Sequence, residues 1–195
     1  MQFLHPLTLK GQYATLEPLS LDHHDALIAA VSDGKLWKLW YTAIPKPENM
    51  RVEIERRLHL QEQGSMLPFV VRRHDTGSLC GMTTYMNADP VHRRVEIGST
   101  WTAASAQRTG INTECKLMML AHAFESLHCI AVEFRTHWLN QQSRQAILRL
   151  GAKQDGILRN HQRMPDGSLR DTVVFSIIDA EWPAVKRHLQ FKLGH

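Results

Sequence analysis

The sequence contains no Gly-x-Gly-x-x-Gly and no Gly-x-x-x-x-Gly-Lys-Ser/Thr, so dinucleotide-fold and P-loop phosphate sites fail at the motif level. Its twelve histidines include no His-Glu-x-x-His, and the adjacent His23 and His24 point to different helix faces, so no metal is expected. Cysteine is scarce: Cys80, Cys115 and Cys129 make an odd count without Cys-x-x-Cys spacing. They read as free, buried thiols in a reducing cytoplasm, and none has a placed partner for nucleophilic catalysis. No apolar run approaches the length of a membrane span, and nothing at the N-terminus resembles a signal peptide. A cytoplasmic protein without membrane contact is the expectation. Internal repeats, low-complexity tracts and dividing linkers are missing too, so residues 1–195 are expected to form a single domain.

The 195 residues are 43% hydrophobic and 22% charged, enough for an adequate core. A formal charge of +4 suits an anionic ligand or nucleic acid equally. The informative stretch is Gln107-Arg108-Thr109-Gly110-Ile111-Asn112. Upstream, Arg94 to Trp101 puts Val95, Ile97 and Trp101 on one face at strand period. Downstream, Leu117, Leu120, Ala121 and Phe124 fall at i, i+3, i+4 and i+7, an amphipathic helix running to about Leu127. A glycine-containing turn between strand and helix aims several unpaired N–H groups and the positive end of the helix dipole at one spot. Such a spot suits phosphate or pyrophosphate. The plainer alternative is a glycine that only makes the turn.

Taken in order, Gly11 to Pro18 alternates as a first strand, and Ser20 caps a helix over Leu21 to Val31. Trp37, Trp40 and Tyr41 fall in an irregular stretch from Lys35 to Pro45. Pro47 opens a polar helix, Glu48 to Gln63, ended by Gly64. Phe69 to Val71 and Leu79 to Met86 flank Asp75-Thr76-Gly77-Ser78 as a hairpin. After the central strand and helix, Cys129 to Phe134 suits a buried strand. Asn140 caps a helix from Gln141 to Leu150, with Gly151 at its end. Gly156 to Met164 and Ser168 to Ile178 flank the hairpin signal Pro165-Asp166-Gly167, and Glu181 to His195 is expected to form a terminal helix.

The order β-αα-βββ-α-β-α-ββ, together with Gln107-x-x-Gly110-x-Asn112, resembles the GNAT superfamily of N-acetyltransferases, whose loop motif is Gln/Arg-x-x-Gly-x-Gly/Ala. Asn112 departs from it by standing where glycine or alanine is usual. Glu96-Ile97-Gly98-x-x-Trp101 and Leu150-Gly151-Ala152 look like the branch of ribosomal-protein N-terminal acetyltransferases. The resemblance implies an α/β (α+β) fold with a mixed, mostly antiparallel central sheet flanked by helices. It implies acetyl-CoA, with coenzyme A as product, and an amine acceptor, either a protein N-terminus or a small molecule. A homodimer is compatible with it. On this footing Gln107, Arg108, Thr109, Gly110, Ile111, Asn112 and Thr113 would surround the pyrophosphate, most of them through backbone N–H groups. Strand N–H groups near Ser99 to Thr102, Trp101 and Thr102 included, would hold the thioester carbonyl. Asn140 would contact pantetheine and Ser143 would protonate the departing thiolate.

Glu96 is the candidate base, since acyl transfer needs a neutral amine and free amines titrate at about 8 to 10. Its bland alternative is an edge-strand carboxylate paired with Arg93 or Arg94. His137, read with Trp138 in the loop after the apolar strand, is the other base candidate. Trp37, Tyr41 and His137 are candidate acceptor contacts, although Trp37, Trp40 and Tyr41 serve equally well as core. Arg108, Lys116 and Arg144 could add charge near the phosphates but read more readily as solvated helix charges. Two rival functions stay open. A non-catalytic acyl-CoA sensor would lack the base and acid. A nucleic-acid binder would use His92-Arg93-Arg94 and Arg159 to Arg163, which lack interleaved aromatics, so nucleic acid is the less favoured partner.

Overall fold

The computed structural model describes residues 3–194. Eight strands form one sheet: β1 (Leu9–Lys10), β2 (Ala14–Pro18), β3 (Met66–Arg73), β4 (Leu79–Asp89), β5 (Arg94–Thr102), β6 (Ala131–His137), β7 (Lys153–Arg163) and β8 (Leu169–Ile178). Their spatial order is β1-β2-β3-β4-β5-β6-β8-β7, and every neighbouring pair is antiparallel except β5 with β6. The α-helices are α1 (His24–Ser32), α2 (Met50–Glu62), α3 (Ile111–Ala121), α4 (Gln141–Arg149) and α5 (Trp182–Leu193). None is long and apolar enough to cross a membrane.

Where element bounds differ from the sequence reading, the cause is visible in the hydrogen bonds. The strand expected over Gly11 to Pro18 is β2 and begins at Ala14, because the N–H groups of Gln12, Tyr13 and Ala14 donate to the Glu114 carboxylate at 2.6, 2.8 and 2.9 Å, while Leu9–Lys10 forms a short strand ahead of it. The first two helices each enter through a 3-10 turn, Leu21–His23 and Pro47–Asn49. α3 ends at Ala121 and continues as one π turn, His122–Ser126. β6 starts two residues late, since Cys129 and Ile130 donate to Ala123 and Arg93, and runs on to His137. At the last hairpin Gly167 sits at φ 86°, where a side chain is disfavoured, and Met164 N–H bonds to Ser168.

Helices cover both faces of the sheet. On one face Val95, Ile97, Val132 and Phe134 pack with Cys115 and Met119 of α3 and Leu189 of α5. On the other, Val70, Met82 and Trp101 pack with Leu27 and Val31 of α1 and Ile54 of α2. Trp101 is therefore not on the face of Val95 and Ile97, as period-2 counting requires. Met82 pairs with Trp101 and Thr84 with Gly98, so two residues, Ser99 and Thr100, stand opposite Thr83 alone. Ser99 takes φ 47°. This β-bulge reverses the alternation. It also moves Thr100 off the face of Glu96 and Gly98: Thr100 Oγ1 meets Lys116 of α3 at 2.8 Å.

Candidate active site

β5 and β6 pair only from Arg94 to Glu96 against Ala131 to Glu133, although β5 runs on to Thr102 and β6 to His137. Beyond Glu96 and Glu133 a wedge opens between two strands of the same sheet. β5 leads through residues 103–110 into α3, and β6 leads through residues 138–140 into α4, so both helix N-termini stand at the carboxyl ends of the parting strands. Ligands of open sheets bind in such crevices, and the dipoles add positive potential there. Gln107 ties the banks together: its Nε2 donates to Thr102 O at 2.9 Å, and Gln142 Nε2 lies 3.4 Å from its Oε1.

The Gln107–Asn112 loop turns at Arg108, which takes φ 59°. Gly110 sits at φ −68°, open to any residue. A Cβ added there would lie 3.4 Å from Leu193 and 3.5 Å from Tyr13, ordinary contact distance. Asn112 lies in the first turn of α3 without a left-handed backbone. Thr109 Oγ1 donates to Ala106 O at 2.7 Å and accepts from Ile111 N–H at 3.3 Å. Among the described residues, the N–H groups of Arg108, Thr109, Gly110, Asn112 and Thr113 have no acceptor. Successive free donors at a left-handed turn and a helix start form an anion-binding concavity.

Glu96 stands at the apex of the wedge, 6% exposed, beside a cavity of about 130 Å³ also lined by Asn87, Arg94, Glu133 and Arg135. Asn87 Nδ2 donates to its Oε2 at 2.8 Å, and Arg135 Nε lies 3.6 Å away. Burial raises its pKa above the usual carboxylate value; the Asn87 bond and Arg135 oppose this, and Glu133 adds to it. A larger depression, about 280 Å³, lies between β1 and the π turn around His122, away from these groups. Size does not mark the site here; the chemistry does.

A family model described as the acetyltransferase (GNAT) domain matches residues 14–153, well over half of the chain. The chain belongs to the GNAT acetyltransferase family. A Bacillus subtilis (strain 168) protein named "Putative ribosomal N-acetyltransferase YdaF" is 34% identical over 110 residues, 56% of this chain. The match spans 59% of that relative's length. A GCN5-related N-acetyltransferase from Brucella melitensis superposes with a TM-score of 0.85 at 32% identity, covering 96% of this chain and 85% of the other. Mycobacterium smegmatis RimJ, solved in complex with CoA-disulfide, shares the fold with a TM-score of 0.77 at 24% identity, covering 97% and 93% of the two chains.

Asn140 caps α4, its Oδ1 accepting from Ser143 N–H at 3.0 Å. Its Nδ2 and the Ser143 hydroxyl have no partner among the described residues. His137 is not in a loop: it is the last residue of β6, buried, with its ring edge-on to Trp40 at 5.3 Å. His137 Nδ1 accepts from Leu139 N–H at 3.0 Å, while Nε2 is buried without a partner. Burial and nearby Arg170 lower its pKa, against the opposing pull of Asp171. The ring is thus neutral with its proton on Nε2, and the one lone pair a base would need is engaged. Trp37 packs against the α1/α2 cluster, whereas Trp40 is 53% exposed and touches Tyr41 edge-on at 5.7 Å.

Two expectations are corrected by burial and pairing. Lys116 is no solvated helix charge but a buried group bonded to Thr83 and Thr100. Arg144 stacks 4.1 Å from the Trp138 ring centroid. Half of the six basic side chains in the two clusters pair with carboxylates: His92 with Asp89, Arg94 with Glu133, and Arg159 with Asp171. Burial pushes the Cys80 and Cys129 thiols to about 11 and Cys115 to about 12, which leaves no thiolate nucleophile. The sequence reading missed Asn87, Glu133 and Arg135 around Glu96. The signal was there: Val132 to Arg135 alternates apolar and polar, and at strand period Glu133, Arg135 and His137 share one face of β6.

Proposed function

We propose that this protein moves an acetyl group from acetyl-CoA to a primary amine, a protein N-terminus or a small-molecule amine, by direct attack in a ternary complex. The observation that carries the reading is the wedge between β5 and β6, with unpartnered N–H groups from Arg108 to Thr113 at its mouth. These donors suit the pyrophosphate, and Asn140 Nδ2 suits the amide oxygen of the pantetheine arm. N–H groups on the wedge-facing edge of β5, within Ser99 to Thr102, suit the thioester oxygen as charge develops on it.

Glu96 is the preferred base, because burial brings its pKa up toward working pH. The ammonium proton passes to Glu96, directly or through water. The amine nitrogen then bonds to the carbonyl carbon, the carbon–sulfur bond breaks, and the thiolate takes a proton at Ser143. The amine gives up two protons in all: the one taken by Glu96 passes to solvent, the second leaves the nitrogen once it has bonded to carbon and replaces the one that Ser143 gives to sulfur, and no acyl-enzyme forms. The resemblance of part of the chain to a protein named for ribosomal N-acetylation favours a protein N-terminus as acceptor. A cytoplasmic location fits such an acceptor.

Calorimetric titration with acetyl-CoA, with Gly110→Glu run beside the parent, tests the loop. The backbone at Gly110 accommodates a Cβ, so the variant is expected to fold and to lose binding to the added carboxylate. Binding by the parent without transfer to any amine in a mass-spectrometric acceptor screen would favour the sensor reading. Absence of parental binding would refute both.

A further inference from the structure

Two buried cations reach the Ser99–Thr100 bulge of β5 from opposite faces of the sheet. From α2, Arg57 Nη1 and Nη2 each lie 3.4 Å from the Ser99 carbonyl oxygen. The same guanidinium donates to Thr84 Oγ1 and to Glu53 Oε1, both at 2.7 Å. From α3, Lys116 Nζ donates to Thr83 Oγ1 at 2.7 Å and to Thr100 Oγ1 at 2.8 Å, and those two hydroxyls are 2.9 Å apart. Arg57 is 2% exposed and Lys116 is 5% exposed.

Glu53 balances Arg57, but among the described residues no carboxylate lies within ion-pair distance of Lys116. A buried cation without a counter-ion burdens the fold, and methionine would fill the same space at lower cost. Burial pushes the Lys116 pKa down to about 8, which reports that same burden. Core packing therefore does not account for the residue. What Lys116 and Arg57 share is the bulge, and the bulge sits where β5 has already left β6.

We propose that Arg57 and Lys116 are positioning residues of the acyl site, clamping the Ser99–Thr100 bulge so that the N–H groups that follow it keep one fixed aim along the wedge. The inference rests on the proposed acetyl transfer. Its physical content is register: β5 without the bulge would carry Thr100 and Trp101 on exchanged faces, and each N–H beyond Gly98 would point elsewhere. Donors aimed at a developing oxyanion act through preorganisation, so a loosened bulge weakens the transition state more than the ground state.

Lys116→Met tests this, with Thr100→Val as the smaller lesion should the first fail to fold. Either variant is expected to lower kcat by about 10²-fold with little change in acetyl-CoA affinity or in KM for the acceptor. The urea midpoint of Lys116→Met should stay level or rise. The double variant should lose no more than the worse single one, since both break one connection. Arg57→Met, which leaves Glu53 with Arg56 at 2.8 Å, should show the same split between kcat and KM. Full kcat in Lys116→Met and Thr100→Val would overturn the clamp, as would a loss of activity that merely follows a loss of stability. A parent that neither binds acetyl-CoA nor acetylates an amine would defeat the functional reading instead. The clamp would then be decided by the amide resonances of Ser99 to Trp101 and the Trp101 indole N–H in Lys116→Met: displaced together they support it, unchanged they refute it.

Discussion

Glu96 and Glu114 are both buried carboxylates, and their partners give them opposite work. Glu114 accepts three backbone N–H bonds from Gln12, Tyr13 and Ala14, which hold the entry to β2 against α3. Glu114→Ala strands those donors and is expected to cost about 2–4 kcal/mol in a urea titration, with kcat per folded molecule unchanged. Glu96 has one side-chain donor at bonding distance and a raised pKa. Its sign follows from linkage. Between the ordinary 4.5 and the higher native value, the folded carboxyl holds a proton that the unfolded chain has released. The stabilising contribution is thus complete below 4.5 and fades as pH rises through that window. Activity should rise over the same window as the base ionises. Glu96→Gln is expected to abolish this acid limb in kcat/KM and to lower kcat/KM at neutral pH by about 10²-fold. A limb that survives in the variant would leave Glu96 no part in proton transfer. The sequence exposed Glu96 because it interrupts an apolar strand, while Glu114 looked like any helix acid: its three partners lie about a hundred residues away.

At the scale of elements, one side chain at the start of α4 caps the helix and, on the proposed function, also meets the ligand. Asn140 Oδ1 caps the helix, and its Nδ2 is free for a ligand. Asn140→Ala should lose the cap, about 1 kcal/mol, together with acetyl-CoA affinity. Asn140→Asp keeps a capping oxygen and removes only the donor, so stability should hold while affinity falls. Equal affinity in parent and Asp variant, read by calorimetry, would confine Asn140 to capping. Elements of this kind were legible because their signals are local: Asn140 before α4, Gly151 after it, Pro165-Asp166-Gly167 between β7 and β8. The Ser99 bulge was not. Gly98 stands just before it, and an isolated glycine in a strand can signal a bulge, but the left-handed position itself is a serine, φ 47°, held by contacts from two distant helices. One inserted residue then misplaced Trp101 and Thr100, although the strand itself and its ends were read nearly correctly. The same limit hid the polar face of β6, since Cys129 to Phe134 reads as one largely apolar run although Glu133 within it already begins the alternation.

Across the whole molecule, the sheet is continuous in order but weak at one seam. β1 to β5 and the β6-β8-β7 group meet through three parallel pairs, Arg94 to Glu96 with Ala131 to Glu133, before the strands part. The Gln107–Gln142 contact at 3.4 Å is a thin tie across the opening. A ligand lying in the wedge would touch β5 and α3 on one bank and β6 and α4 on the other, and so would couple the two groups. Coupling of that kind is measurable as linkage. Acetyl-CoA at a hundred times its Kd should add about 2.7 kcal/mol to unfolding. For a chain of this length that corresponds to a rise in Tm of about 5–10 °C. Gly110→Glu should show no rise, whereas Lys116→Met, which leaves the loop donors alone, should keep it. Hydrogen exchange would locate the effect. Amides of β5 beyond Glu96 and of β6 beyond Glu133 should slow on binding, because those edges lack a strand partner across the wedge. Slowing confined to the α3 loop would mean that the ligand binds one bank only, and the donors of β5 would then have no claim on the thioester.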